Sequence, residues 1–161
     1  DFLAIALAEL GNISERRIYQ LISGSRDLPE FLTNNPGLNS GYMIVQYAAA
    51  GYVSINKQFA SPSSVDSIVT SKGQEDHVSM AANAGIKLYE IINNVWKLLA
   101  IEWMISSQAL EYRRPLKTSP QLEQKHIAYR LQVLPLSGDR SHSSDIDTTE
   151  NFLRQISFSR T

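Results

Sequence analysis

No proline interrupts the chain from Glu75 to Arg114, and over those forty residues apolar side chains recur at helical spacing. As a single helix the stretch would reach about 60 Å at ~1.5 Å per residue, against a mean helix of about 11–12 residues in globular proteins. A rod of that length does not fit across a compact domain of 161 residues. Val78, Ala82, Ile86, Leu88, Tyr89, Ile92, Val95, Trp96, Leu99, Trp103, Ile105 and Leu110 cover more than one face, so the helix needs neighbours on several sides. Trp96 and Trp103, seven residues apart, share a face and are read as helix-interface residues rather than ligand contacts. Arg113-Arg114-Pro115 stops the helix: the arginines suit its negative C-terminal end, and proline opposes continuation.

The remaining segments are expected to supply those neighbours. Leu3, Leu7, Leu10, Ile18, Leu21 and Ile22 fit a buried stripe on a helix from Phe2 to Ile22, with Glu9, Glu15, Arg16 and Arg17 on its other faces and Gly11-Asn12 loosening its middle. Such a pattern starting at the second residue, with only Asp1 before it, is expected of a piece cut from a longer chain. Residues 25–41 hold Pro29, Pro36, Gly37 and Gly41 among several asparagines, which predicts an irregular connection between antiparallel helices. A second helix is expected from Tyr42 to Phe59, buried deep in a bundle at its slender Ala48-Ala49-Ala50-Gly51 run. Shorter helices are expected from Pro120 to Val133 and around Asp145 to Ser157. The whole chain, 1–161, therefore reads as a single all-α, long-helix bundle.

Charge narrows the function classes. Fifteen basic against sixteen acidic residues give a net charge of −1, which provides no electrostatic reason to expect nucleic acid or an anionic membrane as partner. With no cysteine, disulfides and thiol chemistry are excluded. His126 and His142 fall at no metal-ligand spacing, so no metal is assigned. Phe2 to Ala8 lacks the basic leader of a signal peptide, and a soluble cytoplasmic protein is expected.

Ahead of the long helix lies a loop rich in small residues, Ser61-Pro62-Ser63-Ser64-Val65-Asp66-Ser67-Ile68, followed by Gln74-Glu75-Asp76-His77-Val78-Ser79-Met80. Gln74 to His77 are expected at the helix start, where the dipole favours carboxylates and polar side chains cap free N–H groups. These two blocks, with Leu10-Gly11-Asn12-Ile13-Ser14-Glu15-Arg16-Arg17-Ile18, Asn35-Pro36-Gly37-Leu38-Asn39-Ser40-Gly41-Tyr42-Met43 and Glu111-Tyr112-Arg113-Arg114-Pro115-Leu116, resemble the histidine ammonia-lyases of the aromatic amino acid lyase family. The resemblance is strong over 1–120 and weak over 121–161, in the order of the last third of such an enzyme. Two positions depart from it. Gly73 stands where the family has asparagine, and Ile55 where it has glutamate.

The resemblance implies the C-terminal part of an ammonia-lyase helical fold of the fumarase/aspartase kind. It further implies non-oxidative deamination of L-histidine to urocanate by a cytoplasmic homotetramer whose active sites draw residues from several subunits. Glu75 would be catalytic, facing the substrate imidazole; Gln74 would bind substrate beside it, with Asp76 and His77 in support. Relatives acting on phenylalanine or tyrosine typically carry glutamine where Glu75 stands, so the carboxylate favours histidine. The electrophile in this family, a methylidene-imidazolone ring, forms from an Ala-Ser-Gly in the part of the enzyme preceding these residues. No Ala-Ser-Gly occurs here, and Leu136-Ser137-Gly138 is a poor substitute. The missing N-terminal part is thus an implied partner, and this chain alone is expected to be inactive. Two alternatives remain open: a phenylalanine or tyrosine lyase or aminomutase, and a non-catalytic helical assembly scaffold.

Overall fold

The computed structural model describes residues 1–156, which form five α-helices: α1 Phe2–Ile22, α2 Met43–Phe59, α3 Ala81–Tyr112, α4 Pro120–Arg130 and α5 Ser143–Gln155. Among the described residues there is no β-strand, only isolated bridges in the loops. The long helix is shorter than expected. It comprises 32 residues, about 48 Å at ~1.5 Å each, and Glu75 to Met80 belong to the loop before it. The expected end of the last helix, Ser157, lies outside the described residues.

α1, α2 and α5 pack on α3, and the main core gathers Ile18, Tyr42, Val45, Ala49, Leu98, Ile101 and Ile105, with Leu32 from the α1–α2 loop. A second cluster joins Ala4 to Ile91 and Val95; a third joins Tyr129, Val133 and Phe152 around Trp103. Both tryptophans meet α5: Trp103 stands 6.0 Å from the Phe152 ring, and the Arg154 guanidinium lies over Trp96. That agrees with their reading as helix-interface residues.

The stripe assigned to α1 is corrected. Its buried face is Ala4, Ala8, Gly11, Ser14, Glu15, Ile18 and Ile22, while Leu3 and Leu10 are exposed. Small residues let α1 approach α3 closely: a Cβ on Gly11 would stand 2.9 Å from Leu98 Cδ1. Gly11 therefore admits a neighbour instead of loosening the helix. Glu15, expected on an outer face, is buried because its carboxylate accepts from Gln46 Nε2 at 2.7 Å and from Arg16 Nε at 2.6 Å. The slender run of α2 is also corrected, since Ala49 is buried but Ala48 and Gly51 face outward, with nothing within 4 Å of a Cβ at Gly51.

Polar links fix the loops to this body. Gly41 has φ +53°, and a Cβ there would come within 2.3 Å of the Phe31 carbonyl oxygen, so only glycine fits the turn into α2. The Asp139 carboxylate accepts the N–H groups of Ser40 and Gly41 at 2.8 and 2.9 Å, which holds its pKa below the usual carboxylate range. Gln108 bonds both backbone groups of Leu136. α4 ends at Arg130 rather than Val133 because the chain turns there, with the N–H groups of Gln132 and Val133 both donating to the Tyr129 carbonyl. The Tyr129 phenol donates to or accepts from Thr149 Oγ1 at 2.9 Å, and its burial pushes its pKa up to about 12.

Candidate active site

Gln74 to His77 lie in the loop joining α2 to α3, and all four are exposed. They do not cap α3, which begins at Ala81 after Met80 with no side-chain cap bond. The dipole of α3 therefore does not account for these residues; a loop of short polar residues bonds to itself instead of winding into helix. Among the described residues, the side chains of Gln74, Asp76 and His77 have no hydrogen bond or ion pair.

Four anchors hold this loop. Asp1 accepts the N–H groups of Ser63 and Ser64 at 3.1 and 2.8 Å, tying its beginning to the start of α1. Lys87 Nζ donates to the Ser61 carbonyl, and Ser67 Oγ accepts the Val78 N–H at 2.9 Å. The fourth anchor spans the fewest residues. Thr70 and Glu75 exchange backbone hydrogen bonds at 3.0 and 3.4 Å, closing a tight loop through Ser71-Lys72-Gly73-Gln74.

That closure needs an unusual backbone. Ser71, Lys72 and Gly73 take φ of 51°, 56° and 88°, three successive residues in the left-handed region. Outside glycine and asparagine this region is disfavoured by ~1 kcal/mol or more per residue. Gly73 suits this backbone, as would the asparagine that the resemblance leads one to expect there, because both residue types adopt positive φ readily. Ile55, the other departure, is 43% exposed on α2.

The closed loop places the Glu75 carboxylate over the hydroxyl groups of the same turn. Thr70 Oγ1 donates to Glu75 Oε2 at 2.6 Å, and Ser71 Oγ donates weakly to the same oxygen at 3.4 Å. Among the described residues Glu75 Oε1 has no partner and no cation pairs with the carboxylate. An exposed anion with one fixed and one open oxygen can accept a hydrogen bond or a proton from a ligand. Thr70 is the feature that reading the sequence left without a role; the Thr-Ser-Lys-Gly turn preceding Gln74-Glu75 was its visible signal.

Other candidates have structural duties. His126 is buried and shares Glu111 Oε1 with Arg130, at 3.0 and 2.8 Å. His142 stacks on Tyr42, ring centroids 4.9 Å apart. Burial, then the positive charge of neighbouring arginines, pushes both imidazoles below the ordinary histidine value, with partial opposition from Glu111 and Asp145. Among the described residues no three His, Cys, Asp or Glu groups gather as a metal would require. A cleft of about 550 Å³ between α2 and the Asp139–Ser143 loop contains none of Gln74 to His77. Among the described residues no helix is long and apolar enough to cross a membrane.

The family model for aromatic amino acid lyase matches residues 1–131. The chain is 49% identical over 160 residues to the histidine ammonia-lyase of Pseudoalteromonas atlantica, covering 99% of this chain and 31% of that protein. It is 51% identical over 148 residues to that of Symbiobacterium thermophilum, covering 91% of this chain and 29% of the relative. The crystal structure of histidine ammonia-lyase from Trypanosoma cruzi superposes with a TM-score of 0.90 at 43% identity, over 94% of this chain and 30% of that one. A tyrosine aminomutase from Streptomyces globisporus gives 0.89 at 32% identity, over 96% and 31%. The chain spans about 30% of the length of the relatives it matches. It belongs to the aromatic amino acid lyase family.

Proposed function

We propose that this chain is the C-terminal part of a histidine ammonia-lyase, which removes ammonia non-oxidatively from L-histidine and leaves urocanate. The observation that carries the reading is the Glu75 carboxylate, exposed in a fixed loop with one oxygen open. Glu75 would address the imidazole N–H of the substrate, as hydrogen-bond acceptor or as base. Gln74 would bind the substrate alongside, and Asp76 and His77 would support the pair.

The family's methylidene-imidazolone supplies the electrophile in such lyases, and the residues of this chain do not fit as its source. Ser137-Gly138 follows Leu136, whose side chain is buried and whose N–H and carbonyl are both taken by Gln108. The group would come from the remainder of the longer protein, and we expect this chain by itself to be inactive. We place the whole enzyme in histidine catabolism in the cytoplasm, as a homotetramer acting on a free amino acid, with neither nucleic acid nor membrane as partner. Exposed apolar residues such as Ile86 and Tyr89 on α3 favour such assembly.

Identity favours the histidine lyases over the aminomutases, at 49% against 32%. So does a carboxylate at Glu75, where relatives acting on phenylalanine or tyrosine typically have glutamine. The test is urocanate absorbance with the longer protein that carries this chain. Glu75→Gln keeps shape but removes charge and proton acceptor, and is expected to lower kcat on histidine by ~10²–10⁴-fold. Asp76→Asn serves as neighbouring control, with melting temperatures of both variants recorded. Unchanged turnover by Glu75→Gln would remove Glu75 from the chemistry, and no urocanate from the parent protein would favour the aminomutase or scaffold readings.

A further inference from the structure

We propose that Thr70 is a positioning residue for Glu75: its hydroxyl pins one carboxylate oxygen so that the other is presented to the substrate. This rests on the assignment of Glu75 made above. A surface glutamate otherwise wanders among many rotamers. Here Oε2 accepts from Thr70 Oγ1 at 2.6 Å while Oε1 is open, so the side chain is restrained at one oxygen only. The restraint is itself restrained, because the Thr70 and Glu75 backbones are bonded to each other in both directions. Threonine adds a stiff β-branched χ1, which fixes where its hydroxyl points.

The chemistry of the pin also suits the task. A lysine or arginine would hold the carboxylate firmly but would pair off the negative charge that an imidazole N–H is to meet. A neutral hydroxyl orients without neutralising. Lys72 lies within the same turn, yet among the described residues it forms no ion pair with Glu75. The left-handed backbone of Ser71, Lys72 and Gly73 fits this picture, since strained turns persist where a side chain must be held in one place.

The experiment uses the longer protein that carries this chain and follows urocanate formation. Thr70→Val keeps the β-branch and removes the donor; kcat is expected to fall about tenfold, as small misplacements of a reacting group do, with KM changing less and the melting temperature unmoved. Thr70→Ser restores a hydroxyl and should recover most of the lost kcat. Thr70→Ala is measured beside Thr70→Val, so that a folding defect peculiar to valine is not mistaken for lost positioning. Parent-like kcat in both Thr70→Val and Thr70→Ala, with Glu75→Gln impaired, overturns the positioning role and leaves Glu75 standing. Equal losses in Thr70→Val and Thr70→Ser, or losses that track a lower melting temperature, make Thr70 merely structural and overturn it too. A fully active Glu75→Gln overturns the assignment of Glu75 itself.

Discussion

From Ile91 to Ala109, α3 contributes ten buried residues, whereas from Ala81 to Glu90 it contributes none. Composition does not explain the contrast. The first part carries Ala82, Ile86, Leu88 and Tyr89 at helical spacing, yet Ile86 and Tyr89 are 66% and 65% exposed, while Leu98, Ile101 and Met104 are fully buried. α1, α2 and α5 pack on α3; in its first part Leu88 reaches the cluster of Ala4, Ile91 and Val95 and is partly buried there, and the exposed loop that holds Glu75 leads into this end. An apolar helical pattern therefore announces that a partner exists without saying which part of which chain supplies it. In the proposed enzyme, that missing partner and the site loop occupy the same end of α3.

The sharpest way to break this comparison is to shorten one side chain in each half. Ile101→Ala is expected to destabilise this chain by ~2–5 kcal/mol, the transfer and cavity cost of a buried isoleucine, measured by denaturant unfolding. Leu98 and Met104 would behave alike. A small effect at Ile101 would mean that the second half is not the core that its burial indicates.

The next effect comes from pH and belongs to the packed half. His126 and His142 are held below the ordinary histidine value of 6.5 by burial and by nearby arginines. Above pH 6.5 both are neutral in the folded and unfolded chain, and their contribution to stability is fully present. As pH falls below 6.5 the unfolded chain takes up protons that the folded one resists, so stability declines towards the depressed folded values. Melting temperature should fall between pH 7 and the carboxylate range, and His126→Gln should flatten that slope. A slope unchanged by the substitution would contradict the burial of His126 as the cause.

Much of this was legible in the sequence because it rests on local signals. The helix from Phe2 to Ile22 and the stop at Arg113-Arg114-Pro115 were legible, and the sequence blocks were enough to name the family; the role of Glu75 is a proposal drawn from those blocks. What escaped was tertiary. Leucines at positions 3 and 10 outrank Ala4, Ala8 and Gly11 in hydrophobicity, yet close approach to α3 selects the small side chains. Glu15 is buried because Gln46, more than thirty residues away in sequence, meets its carboxylate together with the neighbouring Arg16. Placing Gln74 to His77 at a helix start failed because hydroxyl groups in the loop compete for the backbone and for Glu75.

The smallest effect is expected in the exposed half. Ile86→Ala should change the stability of this chain by no more than ~0.5 kcal/mol, as surface substitutions do, and by more in the longer protein if assembly covers that face. A large loss in this chain alone would mean that Ile86 already has a partner within it.

Amide hydrogen exchange along α3 tests the division most directly. In this chain the amides from Leu98 to Gln108 should open only with global unfolding, while those from Ala84 to Glu90 exchange through local opening, together with the Glu75 loop. In the longer protein both sets should be protected. Uniform protection along the whole of α3 in this chain would contradict the account, because the end beside the proposed site would then be complete without any partner.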